Sequence, residues 1–534
     1  MKNALIVTVL ISVATFSACA GPEATPNTST NRASVAVEGG RITGAQSADS
    51  VWSYKAIPFA APPVGKLRWR PPQAVMAWQG ERDATHFAPA CLQARRAEGS
   101  FYGQIVDRMD EDCLYLNVWT TSAPDARAPV MVWIHGGGLT SGHGGEATYD
   151  GAALAKRGVV LVTINYRLGP LGYLAHPLLA AESEHHASGN YGLLDQVAAL
   201  RWVQKNINRF GGDPDRVTIF GESAGSWSVH HLVASPLAKG LFHRAIGESG
   251  GAFGSSGTVA SRAEQEAQGG KFVKALLGDT TPSVDALRAK SGDDVMAQRG
   301  TGRFAANVDG WVFPDTVYNI FASGGQNHVP VIVGSNATEN ATLGGAARPP
   351  MAVSDYRKYA RETYGSLADA FLKTYPASTE AETVEARIAS ATDQTFSWEM
   401  RTWAAMSETV SADAYLYFFS RVPPGPDAAR NGAYHAAEII YVFGNLGKSP
   451  YPYANAAYDD TDRKLSTLMV SYWVNFAANG NPNGDGLPAW PAYSRKTDEA
   501  LELGDAVRVI SGNRKNRLDF MDKYYAMRRA ASTN

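Results

Sequence analysis

The sequence Gly221-Glu222-Ser223-Ala224-Gly225 stands between a strand-forming run at 216–220 and a helix-forming run at 226–234. A turn this tight between strand and helix holds the serine in strained backbone and needs glycine on both sides to avoid clashes. It also exposes the serine hydroxyl above the sheet. A Gly/Ser-rich loop would explain neither the strand before the motif nor the helix after it. The pattern therefore predicts that Ser223 is a nucleophile.

The rest of the chain alternates between two kinds of segment. Short apolar runs rich in Val and Ile are typical of parallel strands buried on both faces, and they lie at 130–134, 159–164, 217–220 and 329–333. Amphipathic stretches predict helices, at 193–207, 462–479 and 515–529. This alternation predicts an α/β fold with a large, mostly parallel, doubly wound sheet. We expect residues 35–534 to form one catalytic domain.

Two segments extend this plan. Residues 35–42 and 51–59 look like strands interrupted by turn residues, and they predict an antiparallel start to a sheet. The stretch 251–302 is rich in small and charged residues and predicts a helical insertion at the periphery.

A second glycine-rich turn, His135-Gly136-Gly137-Gly138, directly follows the predicted strand at 130–134. Glycines let backbone N–H groups approach a substrate closely. We expect the N–H groups of Gly137, Gly138 and Ala224 to form an oxyanion hole, which stabilises the negative charge that builds on a carbonyl oxygen during acyl transfer. A phosphate-binding loop would carry Lys and Ser/Thr at its end, whereas Leu139 follows here. His135 itself is predicted to be structural.

A nucleophilic serine needs a base and an acid that orients the base. Of the eleven histidines, His435 stands apart, because it follows the strand candidate at 414–419 by a Pro/Gly-rich loop, and catalytic groups of open α/β sheets lie beyond the carboxyl ends of strands. The acid should lie between serine and histidine in the chain. Glu339, shortly after the predicted strand at 329–333, meets this condition; spacing alone leaves three rivals open, namely Asp309, Asp315 and Glu438.

The N-terminus predicts export. Lys2 precedes an apolar run at 4–16, which has the length of a signal-peptide core and is too short to span a membrane as a helix. Residues 1–19 are interpreted as the signal, with two alternatives for its end: Cys19 is acylated as in a bacterial lipoprotein, or Ala18-Cys19-Ala20 is a plain cleavage site. Residues 20–34 then form a flexible tether. The mature protein is expected to be periplasmic or secreted, or anchored to the outer membrane through Cys19.

Charge and cysteine content narrow the function further. The chain has 49 basic and 51 acidic residues, interspersed, so no nucleic acid is expected as a partner. Outside the signal, Cys91 and Cys113 form an even pair in an oxidising compartment, which predicts a disulfide in preference to two buried thiols. No Cys and His spacing indicates a zinc site.

At this point the chain resembles a known family, the type-B carboxylesterases, which include cholinesterases, bile-salt-activated lipase and bacterial para-nitrobenzyl esterases. The resemblance runs from about residue 37 to 491 and rests on several motifs in the family's order: Ile57-Pro58-Phe59-Ala60, Glu111-Asp112-Cys113-Leu114-Tyr115-Leu116-Asn117-Val118, Asn165-Tyr166-Arg167-Leu168-Gly169, Gly189-Asn190-Tyr191-Gly192-Leu193-Leu194-Asp195-Gln196 and Phe210-Gly211-Gly212-Asp213-Pro214. It implies the α/β-hydrolase fold.

The resemblance also implies roles for the remaining residues. Asn336-Ala337-Thr338-Glu339 matches the family's Asn-x-x-Glu-Gly acid, with Asn340 in place of the glycine, and His435 with Glu438 matches its His-x-x-Glu, which makes Glu438 structural. The implied activity is hydrolysis of a small-molecule ester by a Ser-His-Glu triad through an acyl-enzyme, without metal or organic cofactor. The alternatives are a related acyl bond (carbamate, amide or acylglycerol) and, on the same fold, a non-catalytic binding protein.

Departures from the family concern the substrate. The implied disulfide between Cys91 and Cys113 closes a loop over the gorge mouth, and this loop lacks the Trp that holds a quaternary ammonium in cholinesterases. Leu139 stands where many relatives have Phe, which predicts a roomier acyl side. The loop carries Arg95, Arg96 and Arg108, for which solvated surface charge and attraction of an anionic ester are the two interpretations. The sequence names neither the ester nor the oligomeric state.

Overall fold

A computed structural model of the chain describes residue 1 and residues 33–95, 100–103, 106–254, 256–343, 349–448 and 456–532. The predicted export signal beyond residue 1, with Cys19, and the predicted tether up to residue 32 lie outside the described residues.

The described residues form eighteen strands, of which the longest ends immediately before Ser223. They are β1 (Ser34–Val37), β2 (Gly40–Thr43), β3 (Ala45–Gln46), β4 (Trp52–Pro58), β5 (Glu81–Asp83), β6 (Ala90–Cys91), β7 (Met109–Asp110), β8 (Tyr115–Thr120), β9 (Ala128–Ile134), β10 (Val160–Ile164), β11 (Gly212–Glu222), β12 (Arg244–Glu248), β13 (Ala260–Ser261), β14 (Asn307–Val308), β15 (Val331–Asn336), β16 (Ala414–Phe419), β17 (Glu499–Leu503) and β18 (Val507–Ser511).

Helices occupy the connections between these strands. Over the same residues they are α1 (Ala152–Ala155), α2 (Gly169–Tyr173), α3 (Pro177–Ala181), α4 (Tyr191–Asn206), α5 (Ala224–Ala234), α6 (Arg262–Leu277), α7 (Val284–Arg288), α8 (Gly292–Ala297), α9 (Val317–Ala322), α10 (Val353–Tyr364), α11 (Ala368–Thr374), α12 (Glu380–Thr392), α13 (Trp398–Ser407), α14 (Ala428–Asn431), α15 (Ile439–Val442), α16 (Asp460–Asn479) and α17 (Lys515–Ser532). A π-helical turn, Asp393–Ser397, joins α12 to α13. None of the described helices is long and apolar enough to cross a bilayer.

One eleven-stranded sheet organises the molecule, in the order β18-β17-β16-β15-β12-β11-β9-β10-β8-β4-β3. The seven strands from β17 to β10 in this order pair in parallel, and the strands at both edges pair antiparallel. The side chains of the central strands β9, β10 and β15 are almost all buried, because helices cover both faces of a doubly wound sheet. The predicted mostly parallel α/β architecture is confirmed.

The strand boundaries differ from the prediction where local chemistry intervenes. The strand predicted at 329–333 is Val331–Asn336, because Pro330 has no N–H to donate to a neighbouring strand. The strand predicted at 217–220 begins earlier, at Gly212, and continues to Glu222. Residues 35–42 do not join the main sheet, since β1 and β2 form a separate three-stranded sheet with β5.

The predicted helices and the insertion lie close to their expected places. The stretch 193–207 corresponds to α4, 462–479 to α16 and 515–529 to α17. Within 251–302 the described residues contain α6, α7 and α8.

Candidate active site

Ser223 lies on a sharp turn between the end of β11 and the start of α5. Its φ is +57° and its ψ is −122°, a conformation that costs free energy in any residue with a side chain. The turn is held from both sides, because the Ser223 N–H donates to the Glu248 carbonyl at 2.9 Å and the Ser223 carbonyl accepts from the Trp227 N–H at 2.9 Å. The strained serine is therefore fixed in place by the next strand and by its own helix.

The glycines on either side of the serine are required by close packing. A Cβ on Gly221 would lie 2.6 Å from the carbonyl oxygen of Ile134, at the end of β9, and one on Gly225 would approach the same oxygen even more closely. Since contacts under about 3 Å are not tolerated, only glycine lets the elbow pack against β9.

The glycine-rich turn after β9 forms one wall of the site. Gly137 has a φ of +102° and Gly138 a φ of +65°, and the N–H groups of Thr140 and Ser141 both donate to the Gly137 carbonyl at 3.1 Å. The turn, with Gly136, Gly137 and Gly138, lines the same pocket as Ser223. The turn therefore lies beside the nucleophile.

His435 and Glu339 are in direct contact. His435 Nδ1 lies 2.6 Å from Glu339 Oε2, and the other oxygen, Oε1, accepts from the Asn336 N–H at 2.7 Å. Glu339 is fully buried and His435 is 4% exposed. Both oxygens of the carboxylate are thus committed, which fixes the orientation of the imidazole ring.

The other candidate acids have different roles. One oxygen of Asp309 accepts from three consecutive backbone N–H groups, 311–313, and the second accepts from Asn190. Asp315 accepts from the Thr316 N–H near the surface. Glu438 accepts from Ser249 Oγ and from Asn336 Nδ2. The structure brings Glu339, rather than these rivals, to His435 Nδ1.

The remaining histidines of interest do not line the pocket of Ser223. His230 stacks on Trp403, with 4.0 Å between ring centroids, and His231 contacts the Gly257 carbonyl at 2.8 Å. His135 stacks on Tyr166, and burial lowers the pKa of His135 to about 3, so that it is neutral. A structural role for His135 is what the sequence predicts.

Sequence reasoning missed a group of buried carboxyls around the site. Glu222, which precedes the nucleophile, has its Oε1 3.1 Å from His435 Nε2, and Glu248 accepts from the Trp473 indole N–H at 2.8 Å. Burial, and then the neighbouring carboxylates, Glu438 first, raise the pKa of Glu222 well above its usual value. Burial likewise raises the pKa of Glu248, and that of Glu438 to about 7. In the sequence, only the position of Glu222 directly before Ser223, at the first variable residue of the G-x-S-x-G motif, indicates that it lies near the site.

A single pocket of about 480 Å³ contains Ser223 and His435. Six of its lining residues are aromatic, namely Phe101, Tyr102, Tyr149, Trp227, Phe396 and Tyr434. Phe396 comes from the π-helical turn and lies 4.8 Å from the His435 ring. Aromatic walls with a few polar groups are typical of sites for small organic molecules.

The loop between Cys91 and Cys113 contributes to this pocket. The two cysteines form a disulfide, as the sequence predicts. Tyr102 lies on this loop, where its hydroxyl contacts Thr342 Oγ1 at 2.5 Å and donates to the His435 carbonyl at 3.3 Å. The loop therefore touches the segments that carry both His435 and Glu339.

The charged residues of that loop are not part of the pocket. Arg95 and Arg108 are exposed and do not line it, and Arg96 lies outside the described residues. The interpretation of Arg95 and Arg108 as surface charge therefore fits the geometry. Leu139 is buried, with 4% of its surface exposed, and does not line the pocket either. The structure therefore gives no support to the expectation that Leu139 makes the acyl side of the pocket roomier.

Comparison with known proteins agrees with this geometry. The sequence profile of the carboxylesterase family matches residues 31–521. The fumonisin B1 esterase of Sphingopyxis macrogoltabida is 38% identical over 481 residues, which cover 88% of this chain and 86% of that protein. The para-nitrobenzyl esterase of Bacillus subtilis is 35% identical, covering 89% of this chain and 95% of that protein. Human cocaine esterase is 36% identical, and the match covers 89% of this chain and 87% of that protein.

Solved structures show the same relationship. A PNB esterase and a thermophilic PNB esterase superpose with TM-scores of 0.78 and 0.80, each at 32% identity, and each match covers 91% of this chain and 99% of the other. The chain has the α/β-hydrolase fold and belongs to the carboxylesterase family. It is an esterase of the serine, type-B class, and its general activity is the hydrolysis of carboxylic esters.

Proposed function

We propose that the chain hydrolyses small carboxylic esters with Ser223 as nucleophile, His435 as general base and Glu339 as the acid that orients it. The observation that carries this proposal is the 2.6 Å contact between His435 Nδ1 and Glu339 Oε2 in the pocket that Ser223 also lines. A serine on a strained elbow, a histidine and a buried carboxylate make up the constellation required for acyl transfer.

In the first half-reaction, His435 Nε2 takes the hydroxyl proton as Ser223 Oγ attacks the ester carbonyl. The carbonyl oxygen becomes an oxyanion, which accepts hydrogen bonds from the N–H groups of Gly137, Gly138 and Ala224. Glu339 stabilises the imidazolium that forms. The C–O bond then breaks, the alcohol takes the proton from His435, and an acyl group remains on Ser223.

In the second half-reaction, His435 takes a proton from a water molecule that attacks the acyl-enzyme. The same backbone donors hold the second oxyanion, and collapse of this intermediate returns the proton to Ser223 and releases the acid. Besides the ester and water, these steps use side-chain and backbone groups of this chain.

The substrate class is a small ester that fits an aromatic pocket of about 480 Å³. The three relatives are named for different esters, so their names support ester hydrolysis here and no particular ester. A carbamate, an amide or an acylglycerol could use the same chemistry; the ester is the preferred candidate because an alkoxide leaves more readily than an amine. The presence of all three side chains disfavours a non-catalytic binding protein.

The test is hydrolysis of short para-nitrophenyl esters by the purified mature protein beside Ser223→Ala. We expect rapid turnover that the variant loses, with an unchanged thermal unfolding midpoint. A folded but inactive wild type, or an equally active variant, would refute the proposal. A panel of carbamates, amides and acylglycerols at matched concentration separates the alternative bonds.

We further propose that 35–534 form one catalytic domain and that the protein is exported, either lipidated at Cys19 or free. The disulfide between Cys91 and Cys113 supports export, because such bonds persist in oxidising compartments. Mass spectrometry of the mature N-terminus tests this: a diacylglyceryl Cys19 indicates an anchor, a residue near 20 indicates a free protein, and an intact Met1 would contradict export.

A further inference from the structure

Trp227 occupies a distinctive place in the pocket. It lies on α5, one helical turn after Ser223, and its indole is part of the pocket wall. Its backbone N–H donates to the Ser223 carbonyl at 2.9 Å, so the position of the side chain is tied to that of the nucleophile. Neither the G-x-S-x-G motif nor the proposed triad accounts for so large a side chain here.

Two glycines make room for the indole and leave it little freedom to move. A Cβ on Gly257 would lie 2.6 Å from both Cγ and Cδ1 of Trp227, and a Cβ on Gly250 would lie 3.0 Å from Cδ1. The backbone of the segment after β12 therefore packs directly against the ring. The ring therefore cannot move further toward this segment without a shift of the backbone.

The chemistry of the site indicates which part of the substrate meets this wall. The oxyanion must face the glycine-rich turn after β9, and the leaving oxygen must face His435, which returns a proton to it. The acyl chain takes the remaining direction from the carbonyl carbon. Among the lining residues outside these two groups, Trp227 is the one whose backbone is hydrogen-bonded to the nucleophile itself.

We propose that Trp227 sets acyl-chain specificity: its fixed indole closes the acyl side of the pocket, so that the preferred substrates are esters of short-chain carboxylic acids. This inference rests on the proposed function of the same site and specifies its substrate class. A longer acyl chain would have to displace the ring or leave part of its apolar surface in water, and each unaccommodated methylene loses binding free energy in the transition state.

The test compares kcat/KM for para-nitrophenyl acetate, butanoate, hexanoate and octanoate in the wild type, Trp227→Leu and Trp227→Ala. Titration with an organophosphate counts the competent sites of each preparation. We expect the ratio of kcat/KM for octanoate to that for acetate to rise by about tenfold or more in Trp227→Ala, with a smaller rise in Trp227→Leu. Trp311→Ala is the matched control, because Trp311 is a half-buried tryptophan that stacks on His185 outside this pocket.

The outcomes separate the two proposals. If the variants keep the wild-type chain-length profile while Ser223→Ala abolishes activity, Trp227 does not set specificity and the proposed function stands. If Trp311→Ala shifts the profile as strongly as Trp227→Ala, the effect is not local and the inference is again wrong. If the wild type cleaves no ester of the series, both proposals fall together. If Trp227→Ala does not fold, the chain-length profile of Trp227→Leu, which removes less of the side chain, decides the test.

Discussion

Glu339 holds His435 by a 2.6 Å contact between Oε2 and Nδ1, and the rest of the carboxylate is held by the Asn336 N–H. The carboxylate comes from the segment after β15 and the imidazole from the loop after β16, two neighbouring parallel strands. The contact therefore depends on the sheet, which brings together residues 96 positions apart in the sequence.

Replacement of the Glu339 carboxylate should impair His435 as a base while leaving the imidazole in place. In Glu339→Gln the amide cannot stabilise the imidazolium and favours the wrong tautomer, so we expect kcat to fall by roughly 10²- to 10⁴-fold with little change in KM. Steady-state kinetics on a para-nitrophenyl ester measure this. Asp315→Asn is the control, because Asp315 lies between serine and histidine in the chain but does not line the pocket; a comparable loss in the control would argue against Glu339.

The role of the glycine-rich turn can be tested by replacing Gly138 with alanine and comparing the result with the same change at Gly158, a glycine outside the turn that also has positive φ. A Cβ added at Gly138 would lie no closer than 3.7 Å to any neighbouring atom, and one added at Gly158 would have no neighbour within 4 Å. Both positions have positive φ. We expect each variant to lose about 1–2 kcal/mol of stability from backbone strain. Only Gly138→Ala should also lose activity, by up to about 10²-fold, because its N–H shifts away from the oxyanion. Equal activities in the two variants would contradict an oxyanion role.

The buried Glu438 predicts a specific pH dependence of stability. Burial, and then the charge of Glu339, raise the pKa of Glu438 from 4.5 to about 7 in the folded protein. Between these values the folded protein keeps a proton that the unfolded chain releases, so the stability contribution is full below about pH 4.5 and is lost as the pH rises through about 7.

Glu438→Gln imitates the protonated carboxyl and should remove this dependence. The free energy of unfolding of the variant, relative to the wild type, should therefore rise by a few kcal/mol between pH 4.5 and pH 7.5 in urea titrations. A difference that stays constant over this range would show that Glu438 is not protonated in the folded protein.

The charge of the pocket predicts which esters are poor substrates. Glu146 and Glu222 are among the described residues that line it, and no Lys or Arg is. An anionic acyl group would lose hydration in this pocket without gaining a cationic partner from the described lining residues, so we expect kcat/KM for the para-nitrophenyl monoester of glutaric acid to be at least about tenfold below that of the pentanoate. The double variant Arg95→Ala/Arg108→Ala should leave this difference in kcat/KM unchanged, because both arginines are exposed and do not line the pocket. Equal rates for the two esters in the wild type would contradict this account.

The disulfide should support both stability and the pocket. It joins residues separated by 22 positions, for which loop closure in the unfolded chain corresponds to about 3 kcal/mol. The double variant Cys91→Ser/Cys113→Ser should lose stability of this order, and its activity should fall because Phe101 and Tyr102 lie on the released loop and line the pocket. Urea titration and steady-state kinetics test this; a destabilised variant with wild-type kinetics would show that the loop does not shape the site.

The parts that the sequence predicts well are those determined locally. The elbow, the glycine-rich turn and the buried parallel strands each follow from a few adjacent residues, because glycine, proline and apolar periodicity act over short distances. The sequence also proposes His435 and Glu339, with Glu339 chosen among its rivals by resemblance to the family, and the two side chains are in contact in the structure. From spacing alone, Asp309 and Asp315 were equally acceptable, since position in the chain says little about distance in space.

The parts that escaped prediction depend on contacts between distant segments. Glu222 and Glu248 become buried beside each other only because β11 pairs with β12 in register. Phe396 reaches His435 from a π-helical turn, and Asp393 in that turn is held by Arg514 and Arg517, more than a hundred residues later in the chain. No local pattern in the sequence indicates these arrangements.

The central claim is that an acyl group is transferred to Ser223 with the help of His435. Its most direct test is to label the protein with an organophosphate, to stop the reaction before the phosphorylated residue loses an alkyl group, and to locate the adduct by mass spectrometry. We predict one adduct per chain, located on the peptide that contains Ser223, formed at least about 10²-fold more slowly in His435→Ala because the base is lost. An adduct on another residue, or unchanged labelling in His435→Ala, would contradict the account.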